Sequence, residues 1–523
     1  MNGAQQSQPA GRGKVLVGLM LTMTLVAMDT TIVATAIPAI VGDLGDFTLF
    51  AWVFSIYTLV QAVAIPIFGK LADLYGRKPV LYAGIIIFVA GSALSGISWS
   101  MVTLIIFRAL QGIGAAVLQP IVFTVAGDLY TLEERGRVQG WLSSVWGIAA
   151  VLGPAIGGLF TQYASWRWIF YINVPIGALA FAMISLNLHE QVARHHHHID
   201  YVGSALLALG VGLLTFDLLT GGIRWPWLSL PSIMICAIAV LALAGFLWQE
   251  RRDPEPVMPL WIFGKRLVLG SNLATVMLGV LVIGLSSFLP TYAQGVLHVS
   301  ALIAGFALAV MSISWPIASS LAGKVYMHIG FRNTALIGAS TCLVAGFIFT
   351  ALPRSTSILF VVLGSFVMGI GLGLFSTPLL VGLQSVVDWG HRGVVTGSNM
   401  FARQLGQTIG AAIFGSIVNA SLASWLAHAP ANLARQLPQT VDAVSQSFDS
   451  ATSSLSTAAA SYLQEGLYLA SHSVFIGLTV VALVSIATVL LTPAHFKPLD
   501  FAEQPSSDDA ATSTEESSFF HEG

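Results

Sequence analysis

Two side chains of opposite charge stand where the sequence offers them no water. Asp29 lies in MDTTIVATAIP (Met28 to Pro38), and Arg108 opens RALQGIGAAVLQP (Arg108 to Pro120), both inside long apolar runs. A charge at bilayer depth costs roughly 2.5–3.5 kcal/mol on insertion scales, so it faces a cavity or a partner and marks a pathway. Burial favours the neutral form of a carboxylate, and a nearby cation favours the charged form. A carboxylate held between those effects can exchange a proton for a cation. Asp29 is therefore the expected proton-coupling residue, and Arg108 the residue that tunes it or organises its hydrogen bonds. The plainer alternative for Asp29 is a helix-capping or interhelical hydrogen-bonding carboxylate.

The elements that carry these charges are membrane helices. Of 523 residues, 55% are hydrophobic and 9% are charged, with a mean hydropathy of +0.81. Soluble domains carry about 25% charged residues, which excludes a large soluble enzyme. A spanning helix needs about 20 apolar residues, and the chain offers fourteen such runs, from 15–39 to 394–420 and 471–492. The expectation is an all-α polytopic protein with both termini cytoplasmic. With that topology, 16 of the 22 Lys and Arg fall inside and 4 outside, as the positive-inside rule requires. Cys236 and Cys342 fall within spans and read as packing residues. The N-terminal run is too long for a cleaved signal peptide.

Motifs at loops and on helix faces add a second layer. GKLADLYGRK (Gly69 to Lys78) is a short loop in which Gly69 and Gly76 allow close approach or positive φ. Asp73 and Arg77 are four apart, so they can pair if helix continues. Arg108, Gln111, Gly112 and Gly114 share one span, and LGPAIGG (Leu152 to Gly158) gives the next a face of small residues. The loop signature Gly69 to Lys78 resembles that of the major facilitator superfamily. Arg108, Gln111, Gly112 and Gly114 resemble its fourth-helix motif, and Gly153, Pro154, Gly157 and Gly158 its antiporter motif in helix five. Asp29 with Pro38, and WRWIFYINVPIG (Trp166 to Gly177), resemble the fourteen-helix drug–proton antiporters of the QacA/EmrB-like group. The resemblance covers most of the chain and is silent on the transported compound. It implies that Asp128, with Asp73 and Arg77, forms a cytoplasmic charge cluster that holds one conformation.

The chain also repeats itself. A shift of 257 residues sets Gly112 on Gly369, Gly114 on Gly371, Arg135 on Arg392, Gly136 on Gly393, Gly153 on Gly410 and Gly158 on Gly415. Two parallel six-helix halves follow, with spans seven and eight as an insert. The expected division is a cytoplasmic N-terminus at 1–14, a first half at 15–190 and an inserted pair at 191–252. A second half at 253–492 holds a long outer loop at 422–470, and 493–523 is a disordered cytoplasmic tail. The buried charges do not repeat: Arg108 falls on Ser365, and at a shift of 254 Asp73 falls on Met327 and Arg77 on Phe331. Arg403 is an exception, either a snorkelling residue at the inner end of span thirteen or a cavity cation. Asp217, in span seven, is open between function and helix packing. The run His195 to His198 reads as a solvated loop rather than a metal site.

The resulting expectation is a proton-coupled secondary exporter of amphipathic, often cationic small molecules, a multidrug antiporter of the plasma (inner) membrane. Trp52, Gln61, Gln111 and Arg403 are candidates to line its substrate cavity. Gly69, Asp73, Gly76, Arg77, Lys78 and Asp128 form the candidate switch. Gly153, Pro154, Gly157 and Gly158 complete it as a tight interface and hinge while the halves rock. The proton gradient drives it, so no cofactor, metal or nucleic acid is expected; lipid and protons are its other partners, and a monomer is the expected state. An exporter of an endogenous lipid, siderophore or metabolite, a proton symporter and a non-transporting receptor are the alternatives. No Walker A, HExxH or GxSxG stretch points to an enzyme or to ATP drive.

Overall fold

The computed structural model describes residues 11–45, 49–190, 200–221, 225–430, 433, 437 and 456–494. Among the described residues, fourteen helical spans are long and apolar enough to cross a membrane. In lipid only closed hydrogen bonding is tolerated, and a helix satisfies its backbone within itself. The first half comprises α1 (Arg12–Leu44), α2 (Phe50–Tyr75), α3 (Arg77–Gly96), α4 (Met101–Leu129), α5 (Leu132–Tyr163) and α6 (Asn173–Asn187). The inserted pair is α7 (Tyr201–Thr220) and α8 (Leu230–Glu250). The second half comprises α9 (Arg266–Gly295), α10 (Ala301–Ile329), α11 (Phe331–Thr350), α12 (Ile358–Ser385), α13 (Arg392–Ala427) and α14 (Thr457–Leu490).

Helix boundaries follow local chemistry. Ser100 and Thr103 form a capping box that starts α4, and Thr131 with Glu134 does the same for α5. Gly76 and Gly330, partners in the repeat, turn the chain between α2 and α3 and between α10 and α11 at φ values of 91° and 86°. Such angles are open to glycine at little cost.

Each half has its own core, and the glycine repeat builds both alike. A Cβ on Gly112 would stand 2.8 Å from the Tyr57 carbonyl on α2, and one on Gly369 would stand 2.5 Å from the Met311 carbonyl on α10. Gly114 meets the backbone of Phe88 on α3, and Gly371 meets that of Cys342 on α11. The halves join where α2 meets α13 and where α5 meets α10. These contacts run from the membrane face that carries Arg12 toward mid-span. The inserted pair packs through α7 onto α2 and α13.

The structure divides the outer segment more finely than its expected bounds. The outer segment 422–470 is not all connection: α13 continues to Ala427 and α14 begins at Thr457. Trp425 and Tyr462, one on each extension, stack with centroids 4.9 Å apart and exchange hydrogen bonds between ring and backbone. The alanine-rich sequence favours helix, whereas its polarity marks where the bilayer ends. The histidine run His195 to His198 and most of the tail lie outside the described residues.

Candidate functional site

Asp29, Arg108 and Gln111 meet in a closed ring. Arg108 Nη1 donates to Asp29 Oδ2 at 2.5 Å and to Gln111 Oε1 at 2.7 Å. Gln111 Nε2 donates to Asp29 Oδ1 at 2.7 Å, so both carboxylate oxygens are occupied. All three residues have zero solvent exposure. Position explains the ring: Arg108 and Gln111 are three apart on α4 and share a face, opposite Asp29 on α1. Arg108 Nε also donates to the Val53 carbonyl on α2 at 3.2 Å, and its guanidinium lies 4.3 Å from the centroid of the Tyr57 ring. The Tyr57 hydroxyl is buried without a hydrogen-bond partner among the described residues. A pair at this depth is held by geometry and supplementary hydrogen bonds; losing one partner costs about 3–5 kcal/mol.

A second constellation closes the membrane face beside Arg12. Asp73 accepts from the Gly393 amide at 2.8 Å and from the Val394 amide at 2.7 Å, the first turn of α13. Helix N-termini carry unpaired N–H groups and a partial positive charge, which an anion satisfies. Arg77 Nη2 pairs with Asp73 at 2.9 Å, and Arg77 Nε pairs with Asp128 at 3.1 Å. The helix does not run on from Asp73 to Arg77, as the four-residue spacing alone suggested; the pair forms across the Gly76 turn. Arg77 also donates to the Trp389 carbonyl and stacks 3.5 Å over the Trp389 ring. Asp128 takes a second cation, Arg392, at 2.9 Å. Lys78 donates its amide to Glu190 at 2.7 Å, and the Arg77 amide donates to the same carboxylate at 2.8 Å, capping α3. Gly69 lies against Gly393 and Gly397, with room for no Cβ.

The small-residue face of α5 packs on α1. Gly153 and Gly157 pack against Thr31, Ile32 and Thr35 of α1, within the first half. A Cβ on Gly158 would meet nothing within 4 Å, and Pro154 is exposed. The tight interface between halves uses the other end of α5, where Gly136, Gly140 and Gly147 face Gly323, Ser320 and Ser312 of α10. Spacing identifies a face that packs closely, but not the helix it packs on. Thr31 adds a hydrogen bond to the Ala149 carbonyl at 3.0 Å, tying α1 to α5 two residues from Asp29.

Between the halves is a cavity lined by Phe123, Gln139 and Ser143 of the first half and by Thr275, Trp315, Ser376, Asn399 and Arg403, among others, of the second. Of the four expected cavity residues, Arg403 alone lines it in this conformation. Gln111 is committed to the Asp29 ring. Gln61 donates to Gln119 at 3.2 Å between α2 and α4. Trp52 stacks on Phe216 of α7, with centroids 5.6 Å apart. Asp217 accepts from Ser232 at 2.7 Å, Trp225 at 3.2 Å and Cys236 at 3.3 Å, which fastens the inserted pair together and favours the packing reading. Outside the spans, hydrogen bonds from Trp166 and Arg167 hold the Asp43 carboxyl below its usual range, joining the WRW segment to the end of α1. Among the described residues no three His, Cys, Asp or Glu side chains are grouped to hold a metal.

The architecture and motifs agree with a family model for the Major Facilitator Superfamily, which matches residues 19–411. The chain belongs to that superfamily. Its fourteen candidate spans fit the fourteen-helix drug–proton antiporter group. It is 32% identical to the multidrug transporter protein MdtP of Bacillus subtilis strain 168, over 98% of this chain and 99% of that one. It is 37% identical to multidrug resistance protein 3 of the same organism, over 77% of this chain and 79% of that one. Among solved structures, the human organic anion transporter MFSD10 aligns with a TM-score of 0.60 at 15% identity, covering 92% of this chain and 100% of that one. The proton:xylose symporter XylE aligns at 0.56 and 13% identity, covering 89% and 95%. At those identities the likeness is one of fold. Family and fold are those of transporters, not enzymes.

Sequence reasoning missed Trp389, Arg392, Glu190, Tyr57 and Trp315. Arg392 did carry a signal, since the repeat matched it to Arg135; that match marked it as scaffold and hid its pairing with Asp128.

Proposed function

We propose that the chain is a proton-coupled exporter of amphipathic small molecules, a multidrug antiporter in the plasma (inner) membrane with both termini cytoplasmic. Two curated relatives of similar sequence are named for multidrug transport or resistance. The observation that carries the coupling is the buried Asp29–Arg108–Gln111 ring. Protonating Asp29 removes one charge of the pair and leaves Arg108 buried without its counter-ion. Breaking such a pair costs about 3–5 kcal/mol, while inverting a 1:99 equilibrium takes about 5.5 kcal/mol. One proton therefore supplies most of the bias a two-state switch needs.

The path from ring to interface runs through α5. Thr31 joins α1 to α5 near Asp29, and the opposite end of α5 packs through Gly136 and Gly140 on the second half. The halves, 15–190 and 253–492, act as the moving bodies, and the inserted pair 191–252 follows the first through α7 and α2. Asp73, Arg77 and Asp128 latch the Arg12 face shut, which corresponds to an outward-facing state. An exporter of an endogenous lipid or metabolite would use the same parts.

Proteoliposomes with an imposed pH gradient provide the test. Wild type should move protons against dye, and Asp29→Asn should lose dye-dependent proton flux by at least tenfold while remaining folded. Undiminished proton coupling in Asp29→Asn would remove the residue from this role, and proton flux in the same direction as substrate would replace antiport with symport.

A further inference from the structure

The cavity between the halves has a charge that nothing among the described residues balances. Arg403 is its only charged lining residue among the described residues, and no acidic side chain lines it. The guanidinium rests 5.2 Å from the centroid of the Trp315 ring, and it forms neither a hydrogen bond nor an ion pair among the described residues. Its neighbours are donors as well as acceptors. Gln139, Ser143, Ser376 and Asn399 present amide or hydroxyl groups, and Trp315 is fixed by its own hydrogen bond to Ser376 at 3.1 Å. Asn399 is fixed in turn by donating to Thr275 at 2.8 Å. A cation set on an aromatic face, among oriented polar groups, is a receptor for an anion attached to an aromatic or apolar body.

The acid best placed to attract a cationic ligand is not available for one. Both oxygens of Asp29 are filled by Arg108 and Gln111, and Asp29 has no solvent exposure. Asp73 is likewise occupied by Arg77 and by the start of α13. An organic cation entering the cavity would meet Arg403 with no free counter-charge. An anion would meet a planar donor fork with none of its bonds used by a described residue.

We infer that the central cavity takes amphipathic organic anions, or the anionic end of zwitterions, through Arg403 and the Trp315 face. The inference rests on the exporter reading and departs from the cationic substrates expected from a carboxylate at Asp29. It assigns ligand charge to the second half and proton exchange to the first, so the two charges need not compete for one carboxylate.

The test uses the full chain in lipid nanodiscs and three matched probes: a naphthalene sulfonate, its uncharged sulfonamide and a naphthyl trimethylammonium. Binding is read from tryptophan quenching and by titration calorimetry. Wild type should bind the sulfonate at least tenfold tighter than the sulfonamide, and the ammonium weakest. Arg403→Gln should erase the difference between sulfonate and sulfonamide, whereas Arg403→Lys, which keeps the charge, should retain most of it. The inference falls if wild type shows no preference for the sulfonate, if the ammonium binds tightest, or if folded Arg403→Gln keeps the preference. The wild-type comparison decides the matter even if Arg403→Gln does not fold. Gradient-driven dye transport, measured separately, separates the two readings. Export without sulfonate preference leaves the exporter standing and sinks the anion site; sulfonate preference without export does the reverse.

Discussion

Two interfaces join the halves at the same membrane face, and the repeat makes them counterparts. At one, Gly69 of α2 lies against Gly393 and Gly397 of α13; at the other, Gly323 of α10 lies against Gly136 of α5. The backbone geometry is shared, while the chemistry around it is not. Beside Gly69 stand Asp73, Arg77, Asp128 and Arg392, joined by ion pairs of 2.9–3.1 Å. Beside Gly323, Met327 and Phe331 take the places of Asp73 and Arg77. Tyr326 stacks on Phe331 with centroids 4.5 Å apart and donates to the Leu132 carbonyl at 2.5 Å. Arg135, the counterpart of Arg392, turns to carbonyls of its own half at Tyr130 and Gly127.

On the proposed exporter reading, the difference is that between a latch and a pivot. Contacts between charges change strength when a charge, a proton or water arrives, because their energy depends steeply on the local dielectric. Apolar packing has no such handle. We propose that one duplicated backbone contact thus carries a side that can open in response to chemistry and a side that holds position while it does.

The largest expected effect breaks the latch at its centre. Arg77→Met leaves Asp73 and Asp128 facing each other with their shared cation gone. A buried pair that loses one partner is destabilised by about 3–5 kcal/mol. Amide exchange at Gly393 and Val394 should then accelerate by roughly 100-fold or more, while exchange within α11 stays put. If exchange at those two amides does not change, Asp73 is not held as a latch.

A smaller effect is expected at the pivot from volume alone. A Cβ on Gly136 would stand 2.5 Å from Gly323 backbone atoms, which cannot rotate away as a side chain would. Overpacking of this kind costs about 1–3 kcal/mol, so Gly136→Val should lower dye export roughly 10- to 100-fold at equal surface expression. Gly153→Val, pressed against Thr31 of α1, should instead disturb the proton dependence of export, because that contact lies within the first half and near Asp29. Equal effects from the two variants would erase the distinction drawn along α5.

Much of this was legible in the chain itself, for physical reasons that also explain what was not. Hydropathy counts spans because each must cover the same apolar thickness. It reads α13 short because helix persists past the bilayer while apolarity does not. Asp29 and Arg108 were legible because a charge in lipid is costly enough to be conspicuous wherever it stands. Trp389 and Arg392 were not, because they sit at a helix start where aromatic and basic residues are ordinary. Their role comes only from the opposite half arriving beside them. Trp52 and Gln61 illustrate the converse: a polar or aromatic residue in a span can line a cavity or pack, and in this conformation both join neighbouring helices. Arg403 is open in the sequence between snorkelling and the cavity, and in the structure it lines the cavity between the halves, near the Trp315 ring.

The smallest effect sharpens the comparison most, because it removes polarity from the pivot without changing its shape. Tyr326→Phe keeps the ring on Phe331 and removes only the bond to Leu132. A hydrogen bond of this kind contributes about 0.5–1.5 kcal/mol, so the variant should lose less than about tenfold in export and leave exchange at Gly393 and Val394 unaltered. Gly158→Ala, where the added methyl meets open space, sets the zero of the scale. If Tyr326→Phe loosened the first turn of α13 as Arg77→Met is expected to, the two interfaces would be one cooperative seal, and the asymmetry in their chemistry would have no mechanical consequence. Independence of the two responses is what a latch working against a fixed pivot requires.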